Sequence, residues 1–278
     1  MKNRPLLLCT LLLFLISCMK EKSLEGDGNR SPLLIRSVAR IGSDSITNNY
    51  DYDGKRRLMH YHTISTFQGA SDNFEIFFRR NTTGIIQQAV IRSSQFQTVG
   101  VDSLAFQMNY DAGKRRYTSR VATFTLFSNI YKDSIAYTYD ASGNIIKSEE
   151  FIDDAISGGY QEFVKTEYTY GAQNSPVKAT SFSFEPTTGK YEAVIETTYE
   201  YDSNINPLPL SIEAFVMENP QLISAHNATK ISAKDLTNTS ATQTTSYQFT
   251  YDRDKKPESA ILTSSDIQGA LTVTYIYR

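Results

Sequence analysis

The sequence contains no tryptophan and only two cysteines in 278 residues. Cys9 and Cys18 both lie near the start, so the remainder of the chain cannot be stabilised by disulfides. Neither charge dominates, because 28 Lys and Arg face 30 Asp and Glu, which excludes the strongly basic surface typical of nucleic-acid binding. The mean hydropathy of −0.37 excludes a polytopic helical membrane protein. Aromatic residues are abundant instead, since 18 Tyr and 15 Phe indicate a folded chain with a sizeable core.

The first residues have the pattern of an export signal. Two basic residues precede the apolar run Leu6–Ile16, which is shorter than the ~20 residues that a helix needs to cross a bilayer. The run ends in Leu-Ile-Ser and is followed by Cys18, which resembles the lipobox of bacterial lipoproteins. The resemblance implies a signal peptide over residues 1–17, a lipidated Cys18 and a flexible tether within residues 18–32. The alternative is an ordinary signal peptide in which Cys18 has no role.

A short motif recurs along the rest of the chain. Its best copy reads Tyr-Thr-Tyr-Asp-Ala-Ser-Gly-Asn-Ile over residues 137–145. Most copies follow one another at about 30 residues, and one long step separates Tyr201 from Tyr251. The other copies are Tyr50–Gly54, Asn109–Lys114, Tyr168–Gly171, Tyr199–Asp202, Phe249–Asp252 and Tyr275–Tyr277, with a degenerate copy at Ile76–Arg79.

Each copy predicts the end of a strand and a tight turn. Ile135, Tyr137 and Tyr139 share one face of a strand, because successive side chains alternate between faces. Asp140 is predicted to accept hydrogen bonds from the backbone that follows it, and Gly143 to supply the positive φ of the turn. Tyr137, Tyr139, Asp140 and Gly143 are therefore predicted to be structural residues of the repeat. The competing interpretation is that the tyrosine face is an open platform for a ligand.

The repeat length predicts two strands per unit and about 14–16 strands in all. We expect residues 33–278 to form one all-β domain, an antiparallel meander of repeated hairpins curled into an open barrel or half-shell, with one short helical insert. The insert is predicted within residues 203–247, where Ile212, Phe215 and Val216 have helical spacing. A transmembrane barrel is the rival, and the polar second face of the strands disfavours it.

The repeat resembles the YD (Rhs-type) repeat of bacterial surface and toxin-shell proteins. Lipobox, repeat and chain length together resemble the Rhs-repeat-like lipoproteins of Bacteroidetes. The resemblance covers about residues 33–278 and is strongest over residues 137–146. It implies a lipid-anchored β-repeat protein of the outer membrane that faces the periplasm or the cell surface. It does not carry over the toxin-encapsulating role, because the repeat unit here is longer and its copies are few.

Groups suited to catalysis are scarce. His60 and His62 share a strand face, but the spacing implies no third metal ligand. Glu149–Glu150 and Asp153–Asp154 are adjacent pairs that alternate faces on a strand, so neither pair forms the facing carboxylates of a glycosidase. No nucleophile elbow, phosphate-binding loop or dinucleotide motif occurs. We predict no catalytic residue, no metal and no cofactor.

Three tripeptides fit the Asp-Ser-aliphatic pattern of O-glycosylation in Bacteroidetes: Asp44–Ile46, Asp102–Leu104 and Asp133–Ile135. The other interpretation is that each is a turn before an incoming strand, and both stay open.

As to function, we expect a non-enzymatic, lipid-anchored envelope protein that acts as a binding or scaffold module. Its expected contacts are the membrane, through the lipid, and a protein or glycan partner, but no nucleic acid. The alternative is a lipid-anchored hydrolase with a site in the insert 203–247. A cleft that gathers two or more titratable side chains near the insert would favour the alternative.

Overall fold

The computed structural model describes residues 32–126, 129–154, 159–171, 174–208, 210–238, 241–267 and 269–278. The predicted signal peptide, Cys18 and all but the last residue of the predicted tether lie outside the described residues. Sixteen strands run in antiparallel, up-and-down order, which confirms the all-β meander. They are β1 Leu34–Ile41, β2 Asp44–Tyr52, β3 Leu58–Phe67, β4 Ala70–Arg80, β5 Ile86–Ser93, β6 Leu104–Asp111, β7 Arg116–Leu126, β8 Asn129–Tyr139, β9 Ile145–Asp154, β10 Gly159–Tyr170, β11 Pro176–Glu185, β12 Lys190–Ile205, β13 His226–Asp235, β14 Thr242–Tyr251, β15 Pro257–Ser264 and β16 Ala270–Tyr277.

The sheet closes on itself, so the expectation of an open barrel or half-shell is wrong. β1 pairs with β16 along most of its length, with Ser37 opposite Tyr275 and Ala39 opposite Val273. Sixteen twisted strands supply enough curvature for the two ends of the meander to meet, and closure removes both open edges. The pairing joins the first and last strands of the sequence, which no local pattern specifies.

The barrel has two different rims. The hairpins that follow the repeat motif connect an even-numbered strand to the next odd-numbered one, and they all lie at one end, which we call the turn rim. β12 and β13 are the exception, because a longer connection joins them in place of a hairpin. The chain also enters and leaves the barrel there, because Leu33 and Arg278 exchange two backbone hydrogen bonds of 2.9 Å. The opposite end is called the far rim.

The tyrosine face of each strand points inward and is the core. On β8, Ile135 and Tyr137 are buried, whereas Ser134 and Thr138 on the other face are not. The apolar contacts extend around the ring and form one hydrophobic cluster. The tyrosines buried in this way include Tyr50, Tyr61, Tyr137, Tyr199, Tyr247 and Tyr275.

The outward face of the strands is mainly polar. β2 presents Ser, Thr, Asn and Asp outward, and β8 presents Lys, Ser, Ala and Thr together with the exposed Ile130. Other exposed apolar side chains are scattered over different strands: Phe163, Ile195, Ile261 and Ile276. Solvent-exposed ion pairs lie on the same outer wall, for example Lys230 with Glu200 across β13 and β12, at 2.7 Å. Among the described residues, no helix is both long enough and apolar enough to cross a membrane.

Within the described residues, two short α-helices interrupt the meander. α1, Ser94–Thr98, joins β5 to β6 at the far rim and was not expected from the sequence. α2, Ile212–Val216, lies in the predicted insert and is followed by a 3-10 turn at Pro220–Ile223. The insert is shorter than predicted, because β13 and most of β14 occupy residues 226–247 of the predicted range 203–247. The chain between Ile205 and His226 leaves the wall and packs inside the barrel at the turn rim, and we call it the plug.

Candidate functional site

The second aromatic residue of each unit has a specific contact. At the start of most odd-numbered strands the register shifts by one residue, a β-bulge that leaves a carbonyl outside the ladder. The Tyr139 hydroxyl donates to the Tyr117 carbonyl oxygen at 2.6 Å, and the Tyr170 hydroxyl donates to that of Ile145 at 2.7 Å. The same bond runs from Tyr52 to Leu34, from Tyr201 to Pro176 and from Tyr277 to Pro257.

The degenerate copy at Ile76–Arg79 is aligned two residues too early along β4. The sequence pattern makes Phe78 the second aromatic residue of the unit, but the structure gives that position to Arg80. Arg80 pairs with Ile86, the first residue of the next strand, as Tyr139 pairs with Ile145. Phe78 is therefore the equivalent of the buried Tyr137. The Arg80 guanidinium replaces the tyrosine hydroxyl, since its Nη2 donates to the Leu58 carbonyl at 3.3 Å.

The predicted turn residues lie in the hairpin between β8 and β9. Asp140 Oδ1 accepts from the backbone N–H of Ser142 at 2.9 Å and of Asn144 at 2.8 Å. Partial burial acts the other way, but these bonds and one from the Asn144 side chain hold the pKa of Asp140 below its ordinary value. Gly143 has φ of +85°, and no heavy atom lies near the place of an added Cβ.

The plug is held by both apolar and charged contacts. The Phe215 ring meets Tyr137 and Tyr168 edge-on, with centroids 6.3 and 5.3 Å apart. Glu213 forms an ion pair with Arg80 on the wall, and the two side chains are 5% and 7% exposed. The plug thus packs against the inward face of the wall near the turn rim, and every residue of α2 is buried.

Above the plug, three neighbouring strands turn charged side chains into the lumen. Arg120 on β7, Asp133 on β8 and Glu150 on β9 all belong to the inward face. Arg120 Nη1 donates to the Val216 carbonyl at 3.0 Å, and its Nη2 lies 3.1 Å from Glu218 Oε1 at the tip of the plug. We call these four charged residues, together with Tyr137, the lumen floor.

Several polar atoms of the lumen floor have no hydrogen-bond partner among the described residues: Arg120 Nε, Asp133 Oδ1 and the Tyr137 hydroxyl. Arg120 and Tyr137 are only 2% and 8% exposed. Solvent nevertheless reaches one side of the floor, because the Glu218 side chain is 67% exposed. The floor is therefore a polar surface with unused bonding capacity at the base of a water-accessible lumen.

The two lumenal carboxyls resist ionisation. Burial raises the pKa of Asp133 to about 6, with Arg120 lowering it and Glu218 raising it. Burial also raises the pKa of Glu150 to about 7, and the negative charges of Asp133 and Glu218 add to the effect against the opposing charge of Arg120. The carboxyls of Asp133, Glu150 and Glu218 thus all interact with the single guanidinium of Arg120.

An aromatic pair stands one row above the floor. Phe124 and Tyr131 are directly opposite in the β7–β8 register, and their rings stack with centroids 5.6 Å apart. Both rings are only half-buried although they face inward, as is Ile152 on β9. Toward the far rim, this side of the lumen is open to solvent.

The other candidates from the sequence are dispersed. His60 lies on the outer wall, stacked on Phe77 at 4.2 Å with Nδ1 3.0 Å from Asp51. No group of three metal-ligating side chains occurs in the described part of the chain. Glu149 faces outward beside Lys147 at 2.8 Å, whereas Glu150 faces inward, so the adjacent acids do alternate faces.

The importance of Asp133 was missed in the sequence. The turn interpretation of Asp133–Ile135 is wrong, because these residues lie in the middle of β8. Counting by two from Tyr139 through Tyr137 and Ile135 reaches Asp133, so the strand period alone places it on the buried face. Arg120 and Glu150 could not be found by such counting, because a bulge near the start of β7 and of β9 shifts the alternation.

Comparison with solved structures finds the same fold in porin-like proteins. The crystal structure of a porin-like protein from Bacteroides uniformis ATCC 8492 matches with a TM-score of 0.52 at 14% identity, over 88% of this chain and 98% of that one. A porin-like protein from Bacteroides vulgatus ATCC 8482 matches with a TM-score of 0.52 at 13% identity, over 89% and 99% of the two chains. No family model and no curated protein matches the sequence. At such low identity the likeness concerns the fold alone.

Proposed function

We propose that this protein is a non-enzymatic, lipid-anchored protein of the bacterial envelope whose barrel stands in water and acts as a binding or scaffold module. The observation that carries the proposal is the polarity of the barrel, with mainly charged, amide and hydroxyl side chains outside and packed tyrosines inside. The exposed apolar side chains, such as Ile130 and Ile261, are scattered over different strands. A membrane barrel needs an outward apolar band ~25 Å tall with a polar interior, which is the reverse arrangement. The plug argues further against a channel, since it packs inside the barrel at the turn rim.

The anchor in this proposal is Cys18, with residues 1–17 removed and residues 18–32 as the tether. The tether would join the barrel at Leu33, on the turn rim. The proposed location is the outer membrane, on the periplasmic face or the cell surface, and the proposed partner is a protein or glycan. The structural similarity to porin-like proteins from Bacteroides is compatible with a role in the envelope.

We also propose that the hairpins are repeats of the YD type. Support comes from the second tyrosine, which reaches the bulged carbonyl of the preceding strand in five places. Support also comes from the turn acid, because Asp53 and Asp252 accept backbone bonds in the same way as Asp140.

The anchor is tested with the full chain and its Cys18→Ala variant, expressed with labelled palmitate. We expect the natural chain to carry label and to fractionate with membranes. The variant should carry no label and should be recovered folded from the aqueous fraction without detergent. Label on the variant would exclude Cys18 as the acceptor, and a variant that folds only in micelles would exclude a water-facing barrel.

One observation favours the hydrolase alternative as a second candidate. The lumen floor gathers Asp133 and Glu150 next to Glu218 of the insert, and a carboxyl whose pKa is near 7 can act as a general acid. The test is hydrolysis of a panel of chromogenic glycosides and esters. Activity that Glu150→Gln abolishes and Glu149→Gln leaves intact would replace the binding role by an enzymatic one.

A further inference from the structure

The lumen floor has an imbalance of charge that the protein itself does not neutralise. Asp133, Glu150 and Glu218 face Arg120 as the one cation of the cluster, and the Arg120 guanidinium is already bonded to Val216 and Glu218. Buried charges without a partner are costly, so the arrangement is stable only if protons or a bound cation compensate it.

A second, independent observation points in the same direction. The Tyr137 hydroxyl is buried, has no hydrogen-bond partner among the described residues, and interacts electrostatically with Arg120, Glu218 and Asp133. A buried hydroxyl is normally bonded. Asp133 Oδ1 is likewise unpartnered, and so is the Nε–H of Arg120, so the floor offers two oxygen acceptors and one donor that the described residues leave unbonded.

The side chains above the lumen floor indicate which chemical group the ligand carries besides its charge. Phe124 on β7 and Tyr131 on β8 stack one inward row above Asp133, about 7 Å higher by strand geometry. Glu150 lies on β9, one further row below Asp133. Aromatic faces attract both apolar groups and organic cations. Because these rings are half-buried and Glu218 is mostly exposed, a small molecule can reach the floor from the far rim.

From this arrangement we propose that the lumen floor binds a small organic ammonium ion that carries an aromatic or apolar group. The ammonium donates to Asp133 and the Tyr137 hydroxyl and is neutralised by Glu150, while its apolar body lies against Phe124 and Tyr131. The inference rests on the proposed binding role and names its site and ligand class. It requires no covalent step.

Binding is expected to depend on pH through the floor itself. Arg120 on β7 and Glu218 on the plug act on both carboxyls, and Asp133 also acts on Glu150. Tyr137 on β8 interacts with Asp133. The ammonium binds the ionised carboxylates, so its affinity should be full at about pH 8 and should fall more than tenfold at about pH 5, where both acids hold protons.

The test is calorimetric titration of the full chain with 2-phenylethylammonium at about pH 8. Neutral 2-phenylethanol and anionic phenylacetate have the same body and serve as ligand controls. Asp133→Asn and Glu150→Gln should each weaken binding of the ammonium at least tenfold. The matched control is Glu149→Gln, which removes the neighbouring outward acid and should leave the affinity unchanged.

Three outcomes would overturn the proposal: equal binding of the alcohol and the ammonium, tighter binding of phenylacetate, or no saturable heat with the ammonium at millimolar concentration. Equal effects of Glu149→Gln and Glu150→Gln would also place the ligand elsewhere. None of these results affects the palmitate and fractionation test, so failure of the lumen site and failure of the anchored-module function can be told apart.

Discussion

At the scale of single residues, the two tyrosines of a repeat unit have different roles. Tyr137 packs in the core with its hydroxyl unbonded, whereas Tyr139 is only partly buried and caps the Tyr117 carbonyl. Tyr139→Phe should lower the free energy of unfolding by ~1 kcal/mol, because it leaves that carbonyl unsatisfied. Tyr139→Ala should cost ~3–5 kcal/mol, since it also removes the ring from the core.

Urea denaturation measures both changes, and Tyr137→Phe is the control, since it removes a hydroxyl that makes no bond. If the tyrosine face were an open ligand platform, Tyr139→Ala would leave the urea midpoint where it is.

Also at the residue scale, Glu150 should make stability depend on pH. Its pKa is raised to about 7 in the folded state, against ~4.3 in the unfolded chain. Between these values the folded protein binds a proton that the unfolded chain has lost, so stability falls as pH rises through this window. Glu150→Gln should therefore stabilise the protein by ~1–2 kcal/mol at about pH 8 and have no effect at about pH 4.

Thermal melts of the natural chain and Glu150→Gln across this range check the prediction. A lower melting temperature for the variant at the alkaline end would contradict the assigned direction of the pKa shift.

At the scale of elements, the hairpin turns share a residue with positive φ. Gly143 holds it in the β8–β9 hairpin, and Lys255 holds it in the β14–β15 hairpin with φ of +62°. Gly143→Val should destabilise the protein by ~1–2 kcal/mol, because a β-branched residue is strained there. Lys255→Gly should act in the opposite direction and stabilise by up to ~1 kcal/mol, since relief of strain outweighs the entropy that glycine adds.

The two melting temperatures, measured side by side with that of the natural chain, should shift with opposite signs. Shifts of the same sign would mean that the turns do not share this geometry.

One of the contacts that hold the plug is the buried ion pair between Glu213 and Arg80. Glu213→Gln leaves the Arg80 guanidinium buried without its counter-charge and should cost ~3–5 kcal/mol. The same substitution at Glu200, whose pair with Lys230 is solvent-exposed, should cost less than ~1 kcal/mol. Urea midpoints measure both. Equal small effects would indicate that α2 is not docked against the wall as described.

Strands and turns could be predicted from the sequence where their structure depends only on neighbouring residues. The strand face from Ile135 to Tyr139 and the turn after it follow from side-chain alternation and turn chemistry. The bulges could not be predicted, because an extra residue on one strand is defined only by its partner. The inward position of Glu150 depends on such a bulge. The sequence therefore did not predict that the residues of the lumen floor come together.

At the scale of the whole molecule, the fold resembles porin-like proteins, while the outward face of the strands is mainly polar. We expect the purified Cys18→Ala chain to give no single-channel conductance steps when added to a planar lipid bilayer. The mainly polar outer wall disfavours insertion, and the plug packs inside the barrel at the turn rim. Stepwise conductance, above that of a buffer-only control, would mean that the barrel spans the membrane after all.

The bonds between Leu33 and Arg278 have a consequence for biogenesis. β1 cannot pair with β16 until all sixteen strands have been synthesised, so one edge of β1 stays unpaired until then. Such an edge is a template for aggregation, and pairing across nearly the full chain length slows folding. Loss of β16 would open the ring and leave β1 and β15 as two unpaired strand edges, so we expect a chain that lacks β16 to aggregate more than the full chain.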